Sequence, residues 1–168
     1  MTIDLEARER ERERERERWR AQYLGAPSTR PHSSARGVHH VALLCSDVER
    51  TIRFYQGLLG FPLVELFENR DYKGSTHLFF DIGHDNTLAF FDFPGLGLGA
   101  YAEVLGGLHH IAISVDRPVW DAARAKLDEA GVACQIESEI SLYFADPDGV
   151  RLELIAEDLG SLYGTPLH

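Results

Sequence analysis

Two histidine pairs and one glutamate are the residues best placed by type and spacing to do chemistry. Gly37-Val38-His39-His40-Val41-Ala42-Leu43 recurs as Gly107-Leu108-His109-His110-Ile111-Ala112-Ile113, displaced by 70 residues. Side chains alternate across a strand. Val41, Leu43 and Cys45 therefore share the face that packs on a helix, leaving His40, Ala42 and Leu44 on the other. Ile111, Ile113 and Val115 repeat the packing face, with His110, Ala112 and Ser114 opposite. His39 and His109 point to the helix side or sit at the strand's start. In Arg151-Leu152-Glu153-Leu154-Ile155 the leucines face the helix, so Glu153 faces the concavity with His40 and His110. A carboxylate inside an apolar strand needs a partner or a cation. Two imidazoles and one carboxylate with open positions make the facial triad of non-haem iron(II) chemistry. His40, His110 and Glu153 are thus candidate ligands of a divalent metal. Fe(II) is favoured, and Mn, Zn, Co or Ni fit the same donors.

These residues need a scaffold, and the repeat supplies it twice. Each copy runs on to an aspartate, Asp47 or Asp116, and then to a helical pattern. A helix over 48–59 is expected, capped by Asp47, with Ile52, Tyr55 and Leu59 inward and Gly60 ending it. A second is expected over 118–130, with Pro118 in its first turn, Ala123 and Leu127 inward and Gly131 closing it. Three strand patterns follow each helix, at 61–68, 76–82 and 87–93 and again at 132–137, 142–145 and 150–156. Asp146-Pro147-Asp148-Gly149 is a turn signal between the last two. Each copy reads as a βαβββ module. The expected fold is α+β, two tandem modules forming a curved mixed sheet around a metal site, preceded by a helical arm. Module one spans 37–93, a glycine-rich linker 94–106, module two 107–158, and a tail 159–168.

Composition bounds the rest. The chain has 168 residues, 44% hydrophobic, and a net charge of −10, enough for one domain with a real core. The charge is split. Residues 1–36 carry +2, with Arg and Glu alternating from Arg8 to Arg18, while the remainder carries −12. So acidic a body repels phosphate backbones, and no nucleic-acid partner is expected. No apolar run suits a membrane span or a secretory signal, and two cysteines cannot build a disulfide framework, so a cytoplasmic address is expected. The arm has helix-forming residues but no apolar stripe, so a solvated helix is expected, with Trp19, Tyr23 and Leu24 available to pin its end to the body.

With these motifs the chain resembles the vicinal oxygen chelate superfamily, which includes glyoxalase I, fosfomycin-resistance transferases, bleomycin-binding proteins and extradiol dioxygenases. The resemblance covers nearly all of 37–158. It rests on His40-Val41-Ala42-Leu43 with Asp47, on Phe54-Tyr55-Gln56-Gly57-Leu58-Leu59-Gly60-Phe61, on His110-Ile111-Ala112-Ile113, and on Tyr143-Phe144-Ala145-Asp146-Pro147-Asp148-Gly149-Val150-Arg151-Leu152-Glu153. It implies one metal bound by the first strand of each module and the last strand of the second, positions held by His40, His110 and Glu153. The family's fourth ligand position falls on Ala89, where glyoxalase I uses a glutamate as ligand and base. Tyr143, ten residues before Glu153, matches a tyrosine that reaches the substrate. The acid/base histidine of extradiol enzymes falls on Asn86, with His84 two residues earlier as a substitute, and His77 is a further candidate beside the site. The extra histidine those enzymes carry between Gln135 and Ser141 is absent.

Three functions compete. The leading one is an extradiol-type iron(II) dioxygenase acting on a small aromatic or vicinal-oxygen substrate, with Tyr143 and His77 or His84 handling protons. Phe79, Phe90, Phe91 and Phe93, where strand parity permits, would suit an aromatic guest. The second is a redox-neutral glyoxalase-like lyase, thiol transferase or isomerase using the metal as Lewis acid. The third is a drug-binding resistance protein without catalysis. A homodimer is expected, and His40 can meet His110 of its own chain or of a swapped partner.

Overall fold

Module one opens with β1 (His40–Leu44), whose exit is capped by Asp47. The Asp47 carboxylate accepts from the Arg50 amide at 2.9 Å, satisfying a donor that the first helical turn leaves free. Helix α2 (Val48–Ile52) continues as a wider turn over Arg53–Leu58. Strands β2 (Leu63–Glu68), β3 (Thr76–Asp81) and β4 (Thr87–Phe91) complete the module. Module two repeats the order with β5 (Ile111–Ser114), α3 (Arg117–Glu129), β6 (Cys134–Glu137), β7 (Ser141–Ala145) and β8 (Arg151–Ile155). Gly131, at φ +71°, takes the left-handed turn that closes α3 and that a side chain would resist. These elements fall within a few residues of the sequence expectation.

This computed structural model describes residues 5–167. Gly37–Leu159 form one compact unit, and the chain up to Arg36 groups with the tail from Gly160 in another. In the smaller unit, α1 (Leu5–Tyr23) buries none of its residues and carries ion pairs such as Arg12–Glu15 and Arg10–Glu6. Trp19, Tyr23 and Leu24 are all exposed, and the alternating Arg and Glu leave no apolar stripe for them to join. Two short strands, β9 (Ser161–Leu162) and β10 (Thr165–Pro166), pair as a hairpin.

The sheets run β1-β4-β3-β2 and β5-β8-β7-β6. The expected tandem modules are present, each carrying its own four-stranded mixed sheet. β1 and β5 are each an edge strand, paired in parallel with β4 and β8 respectively. One face of each sheet is covered. Leu78, Phe80, Leu88 and Phe90 lie under α2 with Tyr55, while Leu142, Leu152 and Leu154 belong to the same buried core as Trp120 and Leu127 of α3. The Tyr55 ring sits 5.2 Å from Phe80 and 4.8 Å from Phe90.

The modules meet through α2. Phe54 approaches Phe144, and the buried Tyr55 hydroxyl donates to Asp146 at 3.0 Å. Asp146 also accepts from the amides of Asp148 and Val150 at 2.9 and 2.8 Å, which folds the turn recognised in the sequence. Arg50 and Ser46 reach Asp148 across the same seam. Burial pushes the Asp146 carboxyl above its usual range, and the three donors pull it back. Replacing Tyr55 with Phe leaves a buried carboxylate one donor short, and is expected to cost about 1–3 kcal/mol in urea unfolding at pH 7. A carboxyl whose folded pKa exceeds its unfolded value favours the fold below the unfolded value, and that stability is withdrawn as pH rises through the folded one. Losing Tyr55 raises the folded value further, so the Phe variant loses less near pH 4 than at pH 7.

Candidate metal centre

Module two gathers most of the candidate donors. The parallel register pairs Ala112 with Glu153, so Glu153 lies beside the strand that His110 leads into. Its neighbours Leu152 and Leu154 fill the core on the opposite face, and Glu153 itself is only 5% exposed. Its Oε2 lies 3.2 Å from His110 Nε2, and its Oε1 accepts from Ser141 Oγ at 2.5 Å. One oxygen is therefore held by the protein and the other is turned to the histidine. Tyr143 stands directly across the ladder from Glu153, with its ring edge-on to His110 at 5.8 Å and the Arg151 guanidinium 4.8 Å over its face.

Module one carries His40 on an equivalent strand, but among different neighbours. His40 meets Phe79 edge-on at 6.1 Å. His77 is stacked on Phe91 at 3.8 Å and flanked by Phe79 and Phe67 at 4.2 and 5.2 Å. Its Nε2 is buried without a hydrogen-bond partner among the described residues. Burial, then repulsion from His40 and Arg70, holds the ring below the usual imidazole range, so it stays neutral more readily than a free histidine. Phe90, included in the expected aromatic wall, points instead into the core against Tyr55, as strand alternation requires. Phe67 takes its place.

The two modules share a strand register but place different side chains on it. In module two, Ala112 pairs with Glu153 and Tyr143 faces it; in module one, Ala42 pairs with Ala89 and Phe79 faces it. Ala89 is the counterpart of Glu153 and is fully buried, so the fourth donor position holds a methyl group. Likewise His77 is the counterpart of Ser141.

The donor chemistry suits a divalent metal, since two nitrogens and a monodentate carboxylate are the set such cations take. The donors are nonetheless divided. Among the described residues no cluster of three or more His, Cys, Asp or Glu side chains gathers within the chain. His110, Glu153 and Tyr143 come together on one sheet, and His40 and His77 on the other. His84 joins neither group. It sits at φ +52° in an exposed turn between β3 and β4, where its carbonyl accepts from Asn86. Sequence reasoning overlooked Ser141, Arg151 and Phe67. Each lies an even number of residues along a strand from a candidate or pairs with one across a ladder, and register was the signal that could have found them.

No helix among the described residues is long and apolar enough to cross a membrane. The chain is 31% identical over 128 residues to lactoylglutathione lyase of Salmonella typhimurium, covering 72% of this chain and 93% of that protein. It is 29% identical over 143 residues to the putative ring-cleaving dioxygenase MhqA of Bacillus subtilis, covering 78% of this chain and 43% of that protein. Among solved structures, the fosfomycin resistance protein FosX of Mesorhizobium loti superposes with a TM-score of 0.55 at 25% identity, over 74% of this chain and 94% of that one. The family model for the glyoxalase/bleomycin resistance protein/dioxygenase superfamily matches residues 37–154. With module one, module two as far as residue 154, and both histidine strands inside that match, the chain belongs to this superfamily.

Proposed function

We propose that the chain is a metal-dependent oxygenase of extradiol type, acting on a small aromatic substrate with vicinal oxygens at a site shared by two copies of the chain. The observation that carries this reading is the register equivalence of Ala89 and Glu153. It leaves three donors, His40, His110 and Glu153, with no second carboxylate to serve as the base of a lyase.

The division of donors supports the two-copy site. His40 lies on the open face of one module and the His110–Glu153 pair on the other. The strand edges of β1 and β5 are unpaired within their sheets. The open face around His40 exposes apolar side chains, Leu44 at 47% and Phe67 at 41%. A second copy is the occupant that brings the missing donors to each half and covers this apolar surface in the same step. Each dimer would hold two sites.

A bound Fe(II), held by His40, His110 and Glu153, would supply redox chemistry and open coordination positions for the substrate and O₂. The chain's own groups do the rest. Phe67, Phe79 and Phe91 form an apolar bed for an aromatic ring. His77, kept neutral beside them, accepts a hydroxyl proton at Nε2, and the Tyr143 phenol beside Glu153 serves the opposite half. Ring cleavage breaks one carbon–carbon bond and places both atoms of O₂ in the product, so no external reductant is needed. Cys45 and Cys134 are unpaired thiols, in keeping with the reducing cytoplasm as the working compartment.

Protein loaded anaerobically with Fe(II) and exposed to air with a panel of catechols is expected to consume one O₂ per ring-opened product. Oxygen uptake at the rate of free iron, with a hemithioacetal or thiol-addition substrate turned over instead, would favour the redox-neutral chemistry.

A further inference from the structure

The outer histidine of each pair, which no role above absorbs, makes the same contact twice. His39 Nδ1 lies 2.8 Å from His40 Nδ1, and His109 Nδ1 lies 2.7 Å from His110 Nδ1. The ring centroids are 5.1 and 4.9 Å apart and the planes cross at 77° and 75°. Adjacent residues within a strand point to opposite faces and cannot do this. Here the outer histidine precedes the ladder: β1 begins at His40 and β5 at Ile111, which frees its ring to fold over its neighbour. Both outer residues are fixed through their backbones. Thr87 donates to the His39 carbonyl at 3.4 Å, and the Tyr101 hydroxyl donates to the carbonyls of Leu108 and His109 at 2.5 and 3.3 Å.

Two Nδ1 atoms at this distance share one proton, since a neutral imidazole carries a single N–H. When the inner ring donates, its own Nε2 becomes the free lone pair. That is the atom His110 turns toward Glu153 Oε2. We propose that His39 and His109 are positioning residues that accept from the inner rings at Nδ1, so that His40 and His110 each offer Nε2 to the cation. The inference rests on the three-donor reading above. It extends that reading by adding a matched outer residue to each module, and makes the dipeptide His-His, rather than the single histidine, the unit that the repeat preserves within this chain.

The test uses the full-length chain and Co²⁺ as the probe, with affinity read by calorimetry and visible absorption. His39→Phe and His109→Phe keep an aromatic ring but remove the acceptor. Each is expected to weaken Co²⁺ about 10- to 100-fold. His39→Gln and His109→Gln present a side-chain carbonyl and are expected to recover most of the loss. Affinity within about twofold of wild type in both Phe variants, or equal loss in Gln and Phe variants, overturns the proposal. A second readout needs no metal: ¹⁵N NMR of the metal-free protein is expected to show a nitrogen–nitrogen coupling across each Nδ1 bridge. Absent coupling with wild-type Co²⁺ uptake overturns the positioning role alone. Coupling present with no Co²⁺ uptake by wild type overturns the metal reading, and this role with it.

Discussion

Glu153→Ala is expected to remove metal binding altogether, with Co²⁺ affinity falling at least about 100-fold, while the metal-free protein stays folded. Both halves follow from where the residue sits. Glu153 is the only carboxylate of the three proposed donors, so its loss leaves two neutral nitrogens from different modules. It is also a carboxylate buried in an apolar strand, held by the Ser141 hydroxyl at one oxygen, with His110 Nε2 3.2 Å from the other. Such a group is expensive to desolvate, so the alanine variant, though it opens a small cavity, is expected to unfold within about 1 kcal/mol of wild type when no metal is present. The separation appears when metal is added. A ligand at one hundred times its Kd stabilises the native state by about 2.7 kcal/mol. Wild type is expected to gain that amount in thermal or urea unfolding with Co²⁺, and Glu153→Ala to gain nothing. Glu153→Gln keeps the shape and the Ser141 contact but not the charge, and is expected to lie much closer to alanine than to wild type. A retained, stoichiometric Co²⁺ in the alanine variant contradicts the donor assignment.

Most of the fold was legible because both of its periodic signals are strong. Alternation in Val41-Ala42-Leu43 and Ile111-Ala112-Ile113 marks the first strands, and Asp47, Gly131 and the Asp146–Gly149 turn mark the boundaries by backbone chemistry that acts locally. Parity alone placed Glu153 on the face opposite Leu152 and Leu154. What the sequence could not carry was the relation between elements far apart in the chain. Nothing local says that β1 pairs with β4 and not with β5, and that pairing decides whether His40 meets His110 within one copy. Register was equally hidden. Phe79, Phe90 and Phe91 look alike in a run of aromatics, but Phe90 turns into the core while its neighbour Phe91 stacks on His77. Ser141 was passed over because a serine at the head of a strand has no signature; only pairing across the ladder near Glu153 gives it a partner. The twin Nδ1 contacts depend on each outer histidine standing outside its strand, by one residue at β1 and two at β5, a margin that periodicity does not resolve.

The proposed oxygenase requires a site built from His40 of one copy and the His110–Glu153 pair of another. Two inactive chains decide it, His40→Ala and Glu153→Ala, each expected to lose metal uptake alone. Mixed in equal amounts, partly unfolded together and refolded, they form mixed dimers in half of the population. In a mixed dimer one site receives His40 from the Glu153→Ala chain and His110 with Glu153 from the His40→Ala chain, and is whole; the other lacks both. The mixture is therefore expected to bind Co²⁺ tightly at about one quarter of the wild-type stoichiometry, and to show about one quarter of any wild-type oxygen uptake. If each site were built within a single chain, no combination of the two variants would contain an intact one. Tight binding that stays at the level of the separate variants after mixing contradicts the shared site.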